Sequence, residues 1–197
     1  MLGRPSPRPA LLAVTAAATV LALSACTGHG EHAAPDPSAT ASSAVGVFNG
    51  ADTAFAQGMI AHHQQAVEMA ELAAQRQAGP QVAALAARIK RAQEPEIATM
   101  RMWLAAWGQP TAGPAHGAAH PDTGMLTDAQ LNKLRVASGA DFDRLFCELM
   151  IVHHEGAIAM AQRVRADGAS PQAEQLAANI VTAQQAEIGE MRALLRK

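Results

Sequence analysis

The segment Met59-Ile60-Ala61-His62-His63-Gln64-Gln65-Ala66-Val67-Glu68-Met69-Ala70 returns as Met150-Ile151-Val152-His153-His154-Glu155-Gly156-Ala157-Ile158-Ala159-Met160-Ala161, an offset of 91 residues (153 − 62). The match is wider than the His pairs. At the same offset Asp52 aligns with Asp143, Phe55 with Phe146, Ile89 with Ile180, Gln93 with Gln184, Glu96 with Glu187, Ile97 with Ile188 and Met100 with Met191. A constant offset leaves no net insertion inside the unit, and the period is too long for a common solenoid. What such a chain can form is a pair of similar helical hairpins, residues 52–107 and 141–197, related by a pseudo-twofold axis.

Apolar periodicity predicts four long helices, over residues 52–77, 81–107, 141–166 and 172–195. Thr127-Asp128 caps a short helix reaching to about Ala137. Gly79-Pro80 and Gly108-Gln109-Pro110 supply Gly-then-Pro stops for the first two long helices. Pro95 lacks an N–H and crowds the preceding turn, so the second helix is expected to kink there. No strand pattern competes. Helices of this length, about 35–40 Å each, fit an all-α, ferritin-like four-helix bundle. In that architecture two hairpins are joined by a longer crossover, here carrying the short extra helix. With four Phe, two Trp and no Tyr, aliphatic and Met side chains must fill most of the core.

Residues 1–25 read as a signal peptide, with Arg4 and Arg8 ahead of an apolar run and small residues at its end. Leu23-Ser24-Ala25-Cys26 resembles the bacterial lipobox, which implies cleavage before Cys26, lipidation of its thiol and a membrane-anchored, extracytoplasmic protein. Removing the leader takes away two Arg and no acid, so the formal charge moves from −2 to −4. That balance argues against nucleic acid as a partner. Residues 26–47, rich in Ala, Ser, Pro and Gly, read as a disordered tether, and the bundle domain as 48–197. With Cys26 lipidated, Cys147 has no intramolecular partner; it is read as a small buried hydrophobe or as an extra soft ligand. His29 and His32 in the tether, and His116 and His120 in the crossover, are secondary metal-site candidates.

Stepping about 100° per residue from Met59 places His62, His63, Ala66, Met69 and Ala70 on one core-facing stripe, with Glu68 on the solvated side. Met150, His153, His154 and Met160 repeat the arrangement, and Glu155 falls away from the stripe. On the second and fourth helices Gln93, Glu96, Ile97 and Met100, and likewise Gln184, Glu187, Ile188 and Met191, share a stripe. A carboxylate on a buried stripe is costly unless paired, hydrogen-bonded or metal-bound. Glu96 and Glu187 are therefore read as metal ligands or as carboxylates that orient His ligands. Met102 falls opposite this stripe. Met125 lies in the crossover, where it is expected to cap the bundle end near a His pair.

A single Met at helical spacing is ordinary packing, but tandem imidazoles duplicated inside the same Met frame are not what packing asks for. The candidate metal site is therefore His62, His63, His153 and His154 with Met59, Met69, Met100, Met150, Met160, Met191, Glu96 and Glu187. Thioether with imidazole suits Cu(I), with Ag(I) as a mimic; imidazole alone also suits Cu(II) or zinc, and carboxylate-rich sites suit iron. The Glu-x-x-His pattern of di-iron bundles is missing: Met59 and Met150 stand where it would put Glu.

Gly58-Met59-Ile60-x-His62-His63, Gly124-Met125-Leu126-Thr127, Phe142-Asp143-x-x-Phe146 leading into Met150-Ile151-x-His153-His154-Glu155-Gly156-Ala157-Ile158-x-Met160-Ala161, and Gln93-x-x-Glu96-Ile97-x-x-Met100 with Trp103-Leu104-x-x-Trp107-Gly108 resemble the bacterial "domain of unknown function 305" family over residues 48–197. The resemblance implies a ferritin-like bundle and copper binding or resistance outside the cytoplasm, carried by the two His pairs and the Met around them. Three functions stand at this point. The first is capture or buffering of copper, with a metal-transfer protein or a second copy of the chain as possible partner. The second is a bundle metallo-oxidase using copper or iron. The third is a structural or interaction module whose buried His-Glu network only specifies packing. No nucleophile triad or phosphate loop argues for another enzyme.

Overall fold

Asn49 begins the first helix by accepting from the backbone N–H groups of Ala51 and Asp52, while Asp52 Oδ2 accepts the Asn49 N–H in return. Such a reciprocal cap satisfies donors that a helix start leaves open. In the structure, a computed structural model describing residues 46–112 and 124–197, it opens α1 (Gly50–Gln75). Then come α2 (Pro80–Ala106), α3 (Asp128–Val136), α4 (Gly139–Asp167) and α5 (Pro171–Leu194). Pro80 and Pro171, themselves 91 residues apart, stand at the starts of α2 and α5, where the missing N–H costs nothing and φ is already helical. Pro80 thus opens the second helix rather than closing the first. Thr127 and Gln130 cap α3 by the same reciprocal device as α1. α2 continues through Pro95 without a break.

The helices form the four-helix bundle of two duplicated hairpins that the repeat implies. α1 pairs with α2, α4 with α5, and α1 packs on α4. On the opposite side Arg88 of α2 reaches Glu190 of α5. The short α3 leans on α1 and α4; Arg135 pairs with Glu68, so that carboxylate is tied down rather than merely solvated. Met102 is 63 % exposed, away from the core.

The core is two lobes. One contains Met69, Val82, Leu85, Ile89, Phe146, Cys147, Met150, Ile188 and Met191; the other contains Phe55, Met59, Ile97, Met100, Leu104, Ala157, Val164, Ala177 and Ile180. Along each long helix the changeover falls at a polar residue: His62 and His63 on α1, Gln93 on α2, His153 and His154 on α4, Gln184 on α5, all buried. The pseudo-twofold exchanges the lobes. Each holds one Met from before a His pair, one from α2 or α5 and one from after the other His pair: Met150, Met191 and Met69 in the first; Met59, Met100 and, at its edge, Met160 in the second.

The hairpins also clasp each other's turns. Asp52 Oδ2 accepts from the N–H groups of Ala169 and Ser170 (2.9 and 3.1 Å) in the α4–α5 turn. Its repeat partner Asp143 accepts from Gly79 N–H (3.0 Å) in the α1–α2 turn. A side chain at Gly79 or Gly168 would collide with these carboxylates, its Cβ falling 2.6 Å from a carboxylate oxygen.

Candidate metal centre

A row of four imidazoles crosses the bundle at the polar layer. His62 and His153, one from each repeat, face each other with ring centroids 3.6 Å apart. His63 and His154 flank them, each 6.4 Å from its neighbour in the pair. Helix geometry produces this order. Adjacent residues on a helix diverge by about 100°, so in each pair one ring points across the α1–α4 interface and the other toward the partner helix of its own hairpin.

The outer imidazoles meet carboxylates. His63 Nε2 lies 2.7 Å from Glu96 Oε2, and His154 Nε2 lies 2.7 Å from Glu187 Oε2. Both bonds span the same 33 residues of chain. The rings are fully buried, while the Glu96 and Glu187 side chains keep 21 % and 18 % of their exposure. These carboxylates therefore sit at the rim of the polar layer, not on the buried stripe the periodicity predicts. The helix that fixes their angle does not fix their depth.

Buried polar atoms without partners remain. Nδ1 of His63 and of His154, both ring nitrogens of His153, and Oε1 of Gln93 and of Gln184 are buried with no hydrogen-bond partner among the described residues. His153 is held well below the ordinary imidazole pKa, first because burial penalises its charged form and then because His62, His154 and His63 disfavour a further positive charge. It is a neutral ring whose N–H and lone-pair nitrogen both lack a hydrogen-bond partner among the described residues. Unmade hydrogen bonds of this kind cost about 1–3 kcal/mol each, so an apolar core gains nothing by keeping them. A cation accepting those lone pairs would offset that cost, and the donor set fits one.

Among the described residues no group of three or more His, Cys, Asp or Glu is arranged to hold a metal by itself. The soft donors adjoin the layer instead. Met59, Met69, Met100, Met150 and Met191 are completely buried in the two lobes. Met160, expected to match Met69, is only half-buried, and its Sδ packs 3.6 Å from where a Cβ on Gly58 would stand. Cys147 is buried, and burial pushes its thiol up to about 11, so it stays protonated and packs as a small apolar group. Glu155 pairs with Arg192 at the surface, 2.8 Å. Cys26, His29, His32, His116 and His120 lie outside the described residues.

The crossover passes the α4 backbone at Val152 and His153, midway along the helix, rather than at the bundle end. Gly124, at φ +69°, passes so close to α4 that a Cβ would lie 2.3 Å from Val152 O and 3.1 Å from His153 Cα. Gln65 of α1 holds the same segment through both ends of its amide: Oε1 accepts from Leu126 N–H (2.7 Å) and Nε2 donates to Leu126 O (3.1 Å). Met125, between them, is half-buried. Periodicity does not reveal this strap, although a Gly ahead of Met125 is the signal for a close backbone approach.

The family model described as "Domain of unknown function (DUF305)" matches residues 52–195. The chain belongs to DUF305. Solved DUF305 relatives share its fold: a protein from Streptomyces coelicolor, described as secreted, at 32 % identity and TM-score 0.68, covering 74 % of this chain and 92 % of that one; and a fragment from Deinococcus radiodurans at 33 % and 0.69, covering 75 % and 96 %. CopM is similar at 34 % identity and TM-score 0.62 in its Cu(I)-bound form, covering 74 % of this chain and 95 % of CopM. CopM has also been solved with Cu(II) and with silver. The comparison with curated proteins finds no match. No helix among the described residues is long and apolar enough to cross a membrane.

Proposed function

We propose that this DUF305 protein binds copper outside the cytoplasm, holding Cu(I) in the polar layer between its two thioether-lined lobes. His62, His63, His153 and His154 supply imidazole, and Met59, Met69, Met100, Met150, Met160 and Met191 supply the soft donors flanking them. The observation that carries this reading is His153: fully buried, uncharged, and with neither ring nitrogen hydrogen-bonded among the described residues. The thioether lobes favour a soft metal. Zinc and iron favour closed sets of imidazole, thiolate and carboxylate, a set not assembled among the described residues, whereas imidazole with thioether favours Cu(I). The Cu(I), Cu(II) and silver forms of CopM support the same choice. The secreted description of the Streptomyces coelicolor relative supports the location. Residues 1–25 then act as the export signal, Cys26 as the lipid anchor and 26–47 as the tether. The role is capture or buffering.

The test is a competitive Cu(I) titration of the full chain beside a variant with His62→Ala, His63→Ala, His153→Ala and His154→Ala, and another with His29→Ala and His32→Ala. Expected are tight binding in the native chain, at least a 100-fold loss in the four-His variant and little change in the tether variant. Similar affinities in all three would sink the reading.

A further inference from the structure

Each outer imidazole of the row has one nitrogen engaged and the other buried and idle. A carboxylate accepts hydrogen bonds and does not donate them, so the 2.7 Å contacts to Glu96 and Glu187 put hydrogen on Nε2 of His63 and of His154. The remaining nitrogen, Nδ1, meets no hydrogen-bond partner among the described residues. A hydrogen there would be an orphaned buried donor; a lone pair there is ready to bind a cation. Resting on the copper reading above, we propose that Glu96 and Glu187 are positioning residues rather than ligands. They lock His63 and His154 as Nε2–H tautomers, so that these two imidazoles present Nδ1 to the metal.

The repeat makes the argument twice. The same two atoms meet at the same 2.7 Å across the same 33 residues in each hairpin, although Pro95 adjoins one Glu and Ala186 the other. The arrangement also has a chemical consequence. Metal binding at Nδ1 of a ring whose hydrogen already sits on Nε2 displaces no proton from that ring. The partly exposed carboxylates stay free of the metal and fix the orientation of the imidazoles they hold.

The tautomers can be read without any metal. In long-range proton–nitrogen correlation spectra of the labelled full chain near neutral pH, with His63→Gln and His154→Gln supplying assignments, both rings should show the Nε2–H pattern. An Nδ1–H pattern, or imidazolium with both nitrogens protonated, overturns the proposal. Adding Ag(I) should shift Nδ1 of both rings while the Nε2–H signals persist; loss of those signals, or silver bound with both rings unmoved, overturns it. Glu96→Ala should free the His63 tautomer and weaken Ag(I) and Cu(I) binding about 10- to 100-fold. Glu96→Gln, which keeps an acceptor, should retain the tautomer and most of the affinity; a Gln variant as weak as the Ala variant counts against an orienting role. If the chain takes up neither ion, the copper reading fails while the metal-free spectra still decide the tautomer.

Discussion

A methyl group on Gly124 would have to occupy space 2.3 Å from Val152 O, on a backbone already at φ +69°. Gly124→Ala should therefore lower stability by at least about 1–3 kcal/mol, read as a fall in the urea midpoint; an unchanged midpoint would mean that the strap does not bear on α4. His153 links stability to pH. Its folded pKa is depressed, so below the ordinary imidazole value of about 6.5 the unfolded chain binds a proton that the native protein refuses. Stability of the metal-free protein should fall by up to about 1.4 kcal/mol per pH unit below that point, and recover as pH rises through it. His153→Gln should flatten the profile by one proton's worth, checked by urea unfolding at neutral and mildly acidic pH. The imidazoles were legible in the sequence because tandem His inside a duplicated Met frame has no ordinary packing explanation. The depth of Glu96 and the bareness of Gln93 Oε1 were not. A helical angle says which way a residue points on its own helix, not what the facing helices bring to meet it.

At the scale of elements, helix boundaries were readable to within a few residues because the chain marks them locally, with Thr127 as a cap and with Pro80 and Pro171 at the breaks, although Pro80 reads in the sequence as a stop and the structure makes it a start. The clasps between hairpins were not readable. Asp52 meets Ser170 across 118 residues, and nothing near Asp52 in the chain announces that partner. The aligned Asp52 and Asp143 were the only sign. The two clasps differ in load. Among the described residues Asp52 accepts from Asn49, Ala169 and Ser170, whereas Asp143 accepts from Gly79. Charged hydrogen bonds contribute about 1.5–3 kcal/mol each at most, so Asp52→Ala should cost about 2–4 kcal/mol and Asp143→Ala about 1–2. Chemical denaturation of the two variants checks the order, and a larger loss at Asp143 would contradict it.

For the whole molecule, a metal that binds only the folded bundle must stabilise it by mass action. At free Cu(I) or Ag(I) about 100 times the dissociation constant the gain is about 2.7 kcal/mol, which for a domain of this size raises Tm by roughly 5–10 °C. Calorimetry should show that rise in the native chain and none in the four-His variant; a metal-independent Tm in the native chain would contradict the copper reading. The pseudo-twofold explains why such a site would need both hairpins: His62 of one repeat faces His153 of the other, and each lobe draws thioethers from both repeats. Synthesis, however, runs from the N-terminus. α1 and α2 are complete well before His153 exists, and the turn that satisfies Asp52 comes later still. Until α4 and then residues 169 and 170 are made, the first hairpin carries a carboxylate, two imidazoles and half of each apolar lobe with nothing to close on. The nascent first half is a finished sequence without a finished structure, exposed to whatever holds newly made chains until the second half arrives.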